Sequence, residues 1–65
     1  MKKFEKGTKF YDAYNDRYIT TTDDPRPYSD SVACDVVEWD YDSDKPIEYS
    51  QHFSWIELSH FELRS

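Results

Sequence analysis

With 65 residues and a single cysteine, Cys34, the chain is read as one small domain spanning 1–65. It must hold a marginal core without an internal disulfide, because a domain of this size buries only about 60% of the surface its unfolded form exposes. Two Trp, six Tyr and four Phe against one Gly exclude a disordered acidic tail and point to a fold stabilised by large rings. The net charge of −6 combines five bases and three acids in residues 1–17 with three bases and eleven acids beyond them, a balance that repels nucleic-acid phosphate and anionic membrane and attracts basic protein.

Met1-Lys2-Lys3 is followed by Phe-Glu-Lys-Gly and no apolar stretch, so neither a signal peptide nor a membrane span is expected. A lone thiol between Ala33 and Val36 reads as reduced and buried, and a cytoplasmic setting is the expectation. Thr8–Asp12 and Arg17–Thr22 are rich in β-branched and aromatic residues, and Asn15-Asp16 between them favours a turn, which predicts a first hairpin. Asp23–Ser31 holds Pro25-Arg26-Pro27; each proline lacks a ladder donor and restricts its predecessor, so a long exposed loop follows.

Val32–Tyr41 is the strongest strand, but its pattern changes parity. Val32, Cys34 and Val36 share one face, whereas Val37, Trp39 and Tyr41 share the other, and a bulge or bend near Val36-Val37 would reconcile the two sets. Asp42–Pro46 reads as a turn. In the strand Ile47–Phe53 that follows, Ile47, Tyr49 and Phe53 alternate with Glu48, Ser50 and His52, completing a second hairpin. Ser54-Trp55-Ile56-Glu57 matches a capping box, with Phe53 and Leu58 placed for a hydrophobic staple. One or two helical turns are expected there, followed either by a terminal strand over Phe61-Glu62-Leu63 or by helix continuing to Leu63.

The run Asp35–Asp44 holds five acids and no base. Read as extended chain, it places Glu38, Asp40, Asp42 and Asp44 along one face, with Glu48 extending this ladder across the hairpin and Asp35 lying off it. Alternate strand residues stand about 6.6 Å apart, close to twice the roughly 3.4 Å per-strand rise of duplex DNA. A carboxylate row of this kind suits a groove built for phosphates. It also reads as a solvated edge whose like charges discourage aggregation. A chain this short needs its rings inside, so Trp39 and Tyr41 are expected to face the core; a ring left exposed would be an anchor for a partner.

Metal and catalytic readings are weaker. Asp40-Tyr41-Asp42-Ser43-Asp44 matches the first acidic positions of a calcium loop, yet Lys45 replaces the shaping glycine and Gln51 the closing glutamate. His52 and His60 lack zinc spacing. No metal, cofactor or enzymatic activity is expected.

The order of two hairpins, a proline-bearing loop, a helical turn and a terminal strand resembles that of small SH3-like barrels. Gly7-Thr8-Lys9-Phe10, Cys34-Asp35-Val36-Val37 and Phe53-Ser54-Trp55-Ile56-Glu57-Leu58 are similar to patterns in short uncharacterised proteins of phages and mobile elements. The resemblance implies an all-β fold: a five-stranded SH3-like barrel, or a strongly bent antiparallel sheet, with one C-terminal helical turn. It carries no site residues over, because the Ala-Leu-Tyr-Asp-Tyr type of run that marks a proline-ligand groove is missing. The expected function is a binding accessory or inhibitor that engages a basic protein surface, such as that of a nucleic-acid-binding protein, through Glu38, Trp39, Asp40, Tyr41, Asp42, Asp44 and Glu48. Direct nucleic-acid binding is disfavoured by charge. The alternative is a self-associating module, such as a homodimer, whose acids serve solubility.

Overall fold

A computed structural model describes residues 2–65 of the chain. The first hairpin pairs β1 (Lys9–Asp12) with β2 (Arg17–Thr21). Four residues turn between them, and Asp16 takes the left-handed conformation at φ 49°, which a short polar side chain tolerates. Loop residues 22–30 lead to β3 (Ser31–Asp40), which pairs along its whole length with β4 (Lys45–Ser54). After β4 the chain forms α1 (Trp55–Ser59) and then β5 (Glu62–Leu63), which returns to β1. The alternative of helix continuing to Leu63 is thereby excluded.

All pairings are antiparallel and form one sheet in the order β4-β3-β2-β1-β5. The fold is thus all-β apart from the short helix. The sheet is open, with β4 and β5 as its two edge strands, so the barrel closure expected from element order is not what these strands form.

The helix starts where the capping box places it. The Ser54 hydroxyl accepts from the Glu57 N–H at 3.0 Å, and Glu57 Oε1 accepts from the Ser54 N–H at 3.1 Å. Both bonds satisfy donors that a helix N-terminus otherwise leaves free. Trp55 and Leu58 on α1 are buried with Phe10, Ile19, Val32, Cys34, Val36 and Phe53 on one face of the sheet, called here the inner face. Each large apolar side chain enclosed in this way contributes roughly 1.5–3 kcal/mol. Phe4 from the N-terminal segment closes the cluster, edge-on to Phe10 at 5.3 Å and tilted over Trp55 at 6.4 Å.

The N-terminal segment is fixed by polar contacts as well. Lys3 Nζ donates to the carbonyls of Arg26 and Ser29 at 2.7 and 3.0 Å, which ties the proline-bearing loop to the start of the chain. Gly7, at φ +88°, makes a turn that a side chain would strain. Buried Thr21 receives the Thr8 N–H and donates to the Glu5 carbonyl, so the core's hydroxyl edge is satisfied.

The expected bulge at Val36-Val37 does not occur. Every β2–β3 and β3–β4 pair is in continuous register, from Thr21↔Cys34 to Arg17↔Glu38 and from Ser31↔Ser54 to Asp40↔Lys45. The parity change in the sequence has a different cause. β1 ends at Asp12 and β2 begins at Arg17, so the core ends at Val36 and the β3–β4 hairpin runs on beyond it as an arm. This elongates the molecule to 40 × 18 × 17 Å.

Candidate protein-binding site

The arm consists of residues 38–48, the ends of β3 and β4 with the turn Tyr41–Asp44 between them. It carries Glu38, Asp40, Asp42, Asp44 and Glu48 against Lys45 alone. Its acids do not form the ladder expected from sequence. Glu38 and Asp40 lie on the inner-face side of β3, in line with Val36. Asp42 and Asp44 belong to the turn and therefore line no strand face. Glu48 pairs with Val37, so it stands on the opposite, outer face and does not extend the row. Asp35 is off the Glu38–Asp40 side, as expected, and shares the outer face with Glu48. The spacing argument for a phosphate-like row is thus confined to Glu38 and Asp40.

Asp40 builds the turn. Its Oδ1 accepts from the Asp42 N–H at 3.1 Å and its Oδ2 from the Ser43 hydroxyl at 2.8 Å, an Asx-type turn that fixes the tip. Asp44 completes the reversal at φ 57°. Among the described residues, no group of three or more His, Cys, Asp or Glu side chains converges as a metal site.

On the inner side, the boundary between arm and core is a polar cluster. Arg17 Nε donates to Asp12 Oδ2 at 2.8 Å, with side-chain exposures of 15% and 4%. Asn15 Nδ2 donates to the same oxygen at 2.8 Å. Burial alone would raise the Asp12 pKa, but the bonds from Asn15 and Arg17 outweigh it and hold the carboxyl below its usual value. The Arg17 guanidinium also lies 5.1 Å from the Phe53 ring centroid and donates to Tyr49 Oη at 3.3 Å. Burial, then the neighbouring Glu38 carboxylate, push the Tyr49 phenol up, while Arg17 pulls it down. Glu38 is thus part of a structural cluster as well as of the arm.

The outer face differs from expectation in the opposite sense. Trp39 is 42% exposed and Tyr41 77%, so neither is a core residue. The reasons differ: Trp39 is an odd-numbered residue of a strand whose even-numbered residues face the core, and no helix packs over the outer side, whereas Tyr41 already belongs to the turn. Trp39 sits across from Pro46, Val37 across from Tyr18 and Glu48, and Tyr18 across from Tyr11. Tyr11 and Tyr18 stack with centroids 4.9 Å apart, and Tyr18 is itself 53% exposed. A shallow depression is lined by Asp16, Tyr18, Val37, Glu38, Trp39 and Pro46.

Asp16 is the hinge of this face. Its carboxylate accepts from the Tyr11 hydroxyl at 2.7 Å and from the Tyr41 hydroxyl at 3.4 Å, linking the first hairpin's turn to the tip of the arm. The bond to Asp16 is the main cause of a raised Tyr11 pKa. Tyr18 is not singled out as a site residue by the sequence, and Asp16 and Pro46 are read there only as turn residues. The signal that could have found them is the hairpin register, since a four-residue turn at 13–16 places Tyr18 on the same face as Val37 and Trp39.

Cys34 is buried and free. Burial, with a smaller contribution from Asp35, pushes its thiol up to about 11, which leaves it unreactive at neutral pH. His60 caps the helix C-terminus, and His52 stands on the outer face of β4. No helix of the described residues is long and apolar enough to cross a membrane.

No protein-family model matches the chain, and no curated protein or solved structure is significantly similar to it.

Proposed function

We propose that the chain is a non-enzymatic binding module that engages a basic protein surface through its projecting arm and the aromatic outer face beside it. The observation that carries this reading is Trp39, left 42% exposed in a small domain that needs its rings for its core. It is framed by Tyr18, Val37 and Pro46, with the Asp16 carboxylate at the rim. A lysine or arginine side chain laid across these rings gains a cation–π contact, and its charge meets Asp16 or Glu48. Asp42 and Asp44 at the tip act over longer range and speed the encounter with a positive surface. Where that surface is one that holds nucleic acid, the arm excludes the nucleic acid by occupying it, and the protein acts as an inhibitor.

The test uses the whole chain as bait in native lysate at low ionic strength, with far-UV circular dichroism as the control for folding. The natural chain is expected to capture a basic protein and release it at high salt. D40N/D42N/D44N is expected to slow and weaken capture, and Trp39→Ala to abolish it, both with the fold intact. Capture unaffected by either variant, or a partner that is not basic, would falsify the reading.

A further inference from the structure

β4 is an edge strand ten residues long, but only part of its backbone is open. The Ala33 carbonyl accepts from the Thr22 N–H at 2.9 Å. The odd-numbered residues of β3 therefore direct their backbone groups toward β2, and the even-numbered ones toward β4. In the register Val32↔Phe53 to Asp40↔Lys45, the odd-numbered residues of β4 bond to β3 and the even-numbered ones point away. Two residues agree with this assignment. Pro46, which has no N–H, falls on the outward series, as proline in an edge strand must. Ser54 falls on it too, and its N–H is taken by Glu57 Oε1 at 3.1 Å. What remains open is the N–H and C=O of Glu48, Ser50 and His52, bounded by a residue with no donor and one whose donor is occupied.

We propose that this open segment pairs antiparallel with the same segment of a second copy of the chain, about a two-fold axis at Ser50, joining two sheets into one. The sequence is self-complementary in that arrangement and in no neighbouring one. Ser50 meets Ser50 of the partner subunit, Glu48 meets His52 of the partner subunit, and His52 meets the partner subunit's Glu48. Each is a facing pair that exchanges two backbone bonds. A shift of two residues either way sets an open position against Pro46 or the capped Ser54, and a parallel arrangement sets Glu48 beside its own copy. The side-chain pairing also resolves the charge problem of an acidic edge, since each glutamate meets an imidazole in place of another carboxylate. The arms then project from opposite ends of the joined sheet, which keeps their like-charged tips apart. This inference does not rest on the arm's proposed role: Ser50 and His52 lie outside the arm, and Glu48, which both readings use, is changed here only in the swap, whose readout is self-association.

Sedimentation equilibrium of the whole chain from micromolar to millimolar concentration tests it. The natural chain is expected to show a monomer–dimer equilibrium. His52→Glu, which opposes two carboxylates, should weaken association by about tenfold or more. The swap E48H/H52E restores complementarity and should restore the dimer. Ser50→Pro removes an outward N–H that the monomer does not use, and should yield a monomer with unchanged circular dichroism. If Ser50→Pro unfolds, His52→Glu and the swap decide by themselves. A natural chain monomeric throughout, a dimer indifferent to His52→Glu, or a swap that fails to restore what His52→Glu removes would each overturn the proposal.

Discussion

The same two strands, β3 and β4, run through two regions that obey different rules. In the first, residues 31–37 of β3 and 49–54 of β4 lie over α1, and the inner face buries Val32, Cys34, Val36 and Phe53 against Trp55 and Leu58. In the second, residues 38–48 have outrun α1, β1 and most of β2, and the same face now carries Glu38 and Asp40 while Trp39 stands exposed on the other. Hydrophobic character is thus not what separates the regions, since rings occur in both. What separates them is whether a second layer is present to cover those rings. Stability is concentrated in the first region, and the exposed rings and acids on which the proposed binding rests are in the second.

The most direct way to break this comparison is to truncate one tryptophan in each region. Trp55→Ala empties the centre of the core and should cost about 3–5 kcal/mol, a large share of the roughly 5–15 kcal/mol that a domain can have. Trp39→Ala should cost under about 1 kcal/mol, as exposed substitutions do. Urea unfolding followed by circular dichroism measures both. A Trp39→Ala variant as unstable as Trp55→Ala would mean that the arm is part of the core.

The boundary cluster is the next test. Asp12→Asn leaves the half-buried Arg17 without its ion-pair partner and should cost about 2 kcal/mol at neutral pH. Because the folded-state pKa of Asp12 lies below its usual value, its contribution is complete above the unfolded value of about 3.9 and is lost as pH falls through the folded one. Thermal melts from pH 7 down to pH 2 should therefore show the natural chain losing stability toward acid, with a shallower loss in Asp12→Asn. Equal slopes would place the acid sensitivity elsewhere.

A smaller effect is expected at the helix start. Ser54→Ala removes the hydroxyl of the capping box and should cost about 1 kcal/mol, or a fall in Tm of about 4–8 °C for a domain of this size. It should leave partner capture untouched, because α1 belongs to the first region. A loss of capture at unchanged Tm would shift the binding surface toward the helix.

How far each region could be read from sequence follows from the same difference. Local chemistry was legible: Asn15-Asp16 marks a turn, Pro25 and Pro27 a loop, and Ser54 with Glu57 a helix start, because each acts on backbone within a few residues of itself. The alternation of Ile47, Tyr49 and Phe53 was legible too. What misleads is Val37-Trp39-Tyr41: alternation correctly gives Val37 and Trp39 a shared face, with Tyr41 already in the turn, but says nothing about whether another layer covers it. Burying that face requires a bulge, and the structure has none. The Asp12–Arg17 pair was missed although both residues flank the 13–16 turn, where a hairpin sets them directly opposite each other. The carboxylate ladder treated Asp42 and Asp44 as strand residues, although the polar run Asp42–Pro46 already signalled a turn.

The smallest expected effect falls on that turn. Asp44 sits at φ 57°, a conformation that costs glycine nothing and aspartate a little. Asp44→Gly should therefore raise stability slightly, by a few tenths of a kcal/mol, and it also removes one like charge from a crowded tip. If the tip carboxylates serve a basic partner, the same substitution should slow that partner's association, most visibly at low salt, and leave its dissociation nearly unchanged. Denaturation midpoints and association rates for Asp44→Gly are thus expected to move in opposite senses. A residue whose replacement by glycine improves the fold while impairing the encounter is retained for what it does outside the fold. If both quantities improve together, the tip acids have no partner, and the arm's proposed site contracts to Trp39 and its neighbours on the outer face.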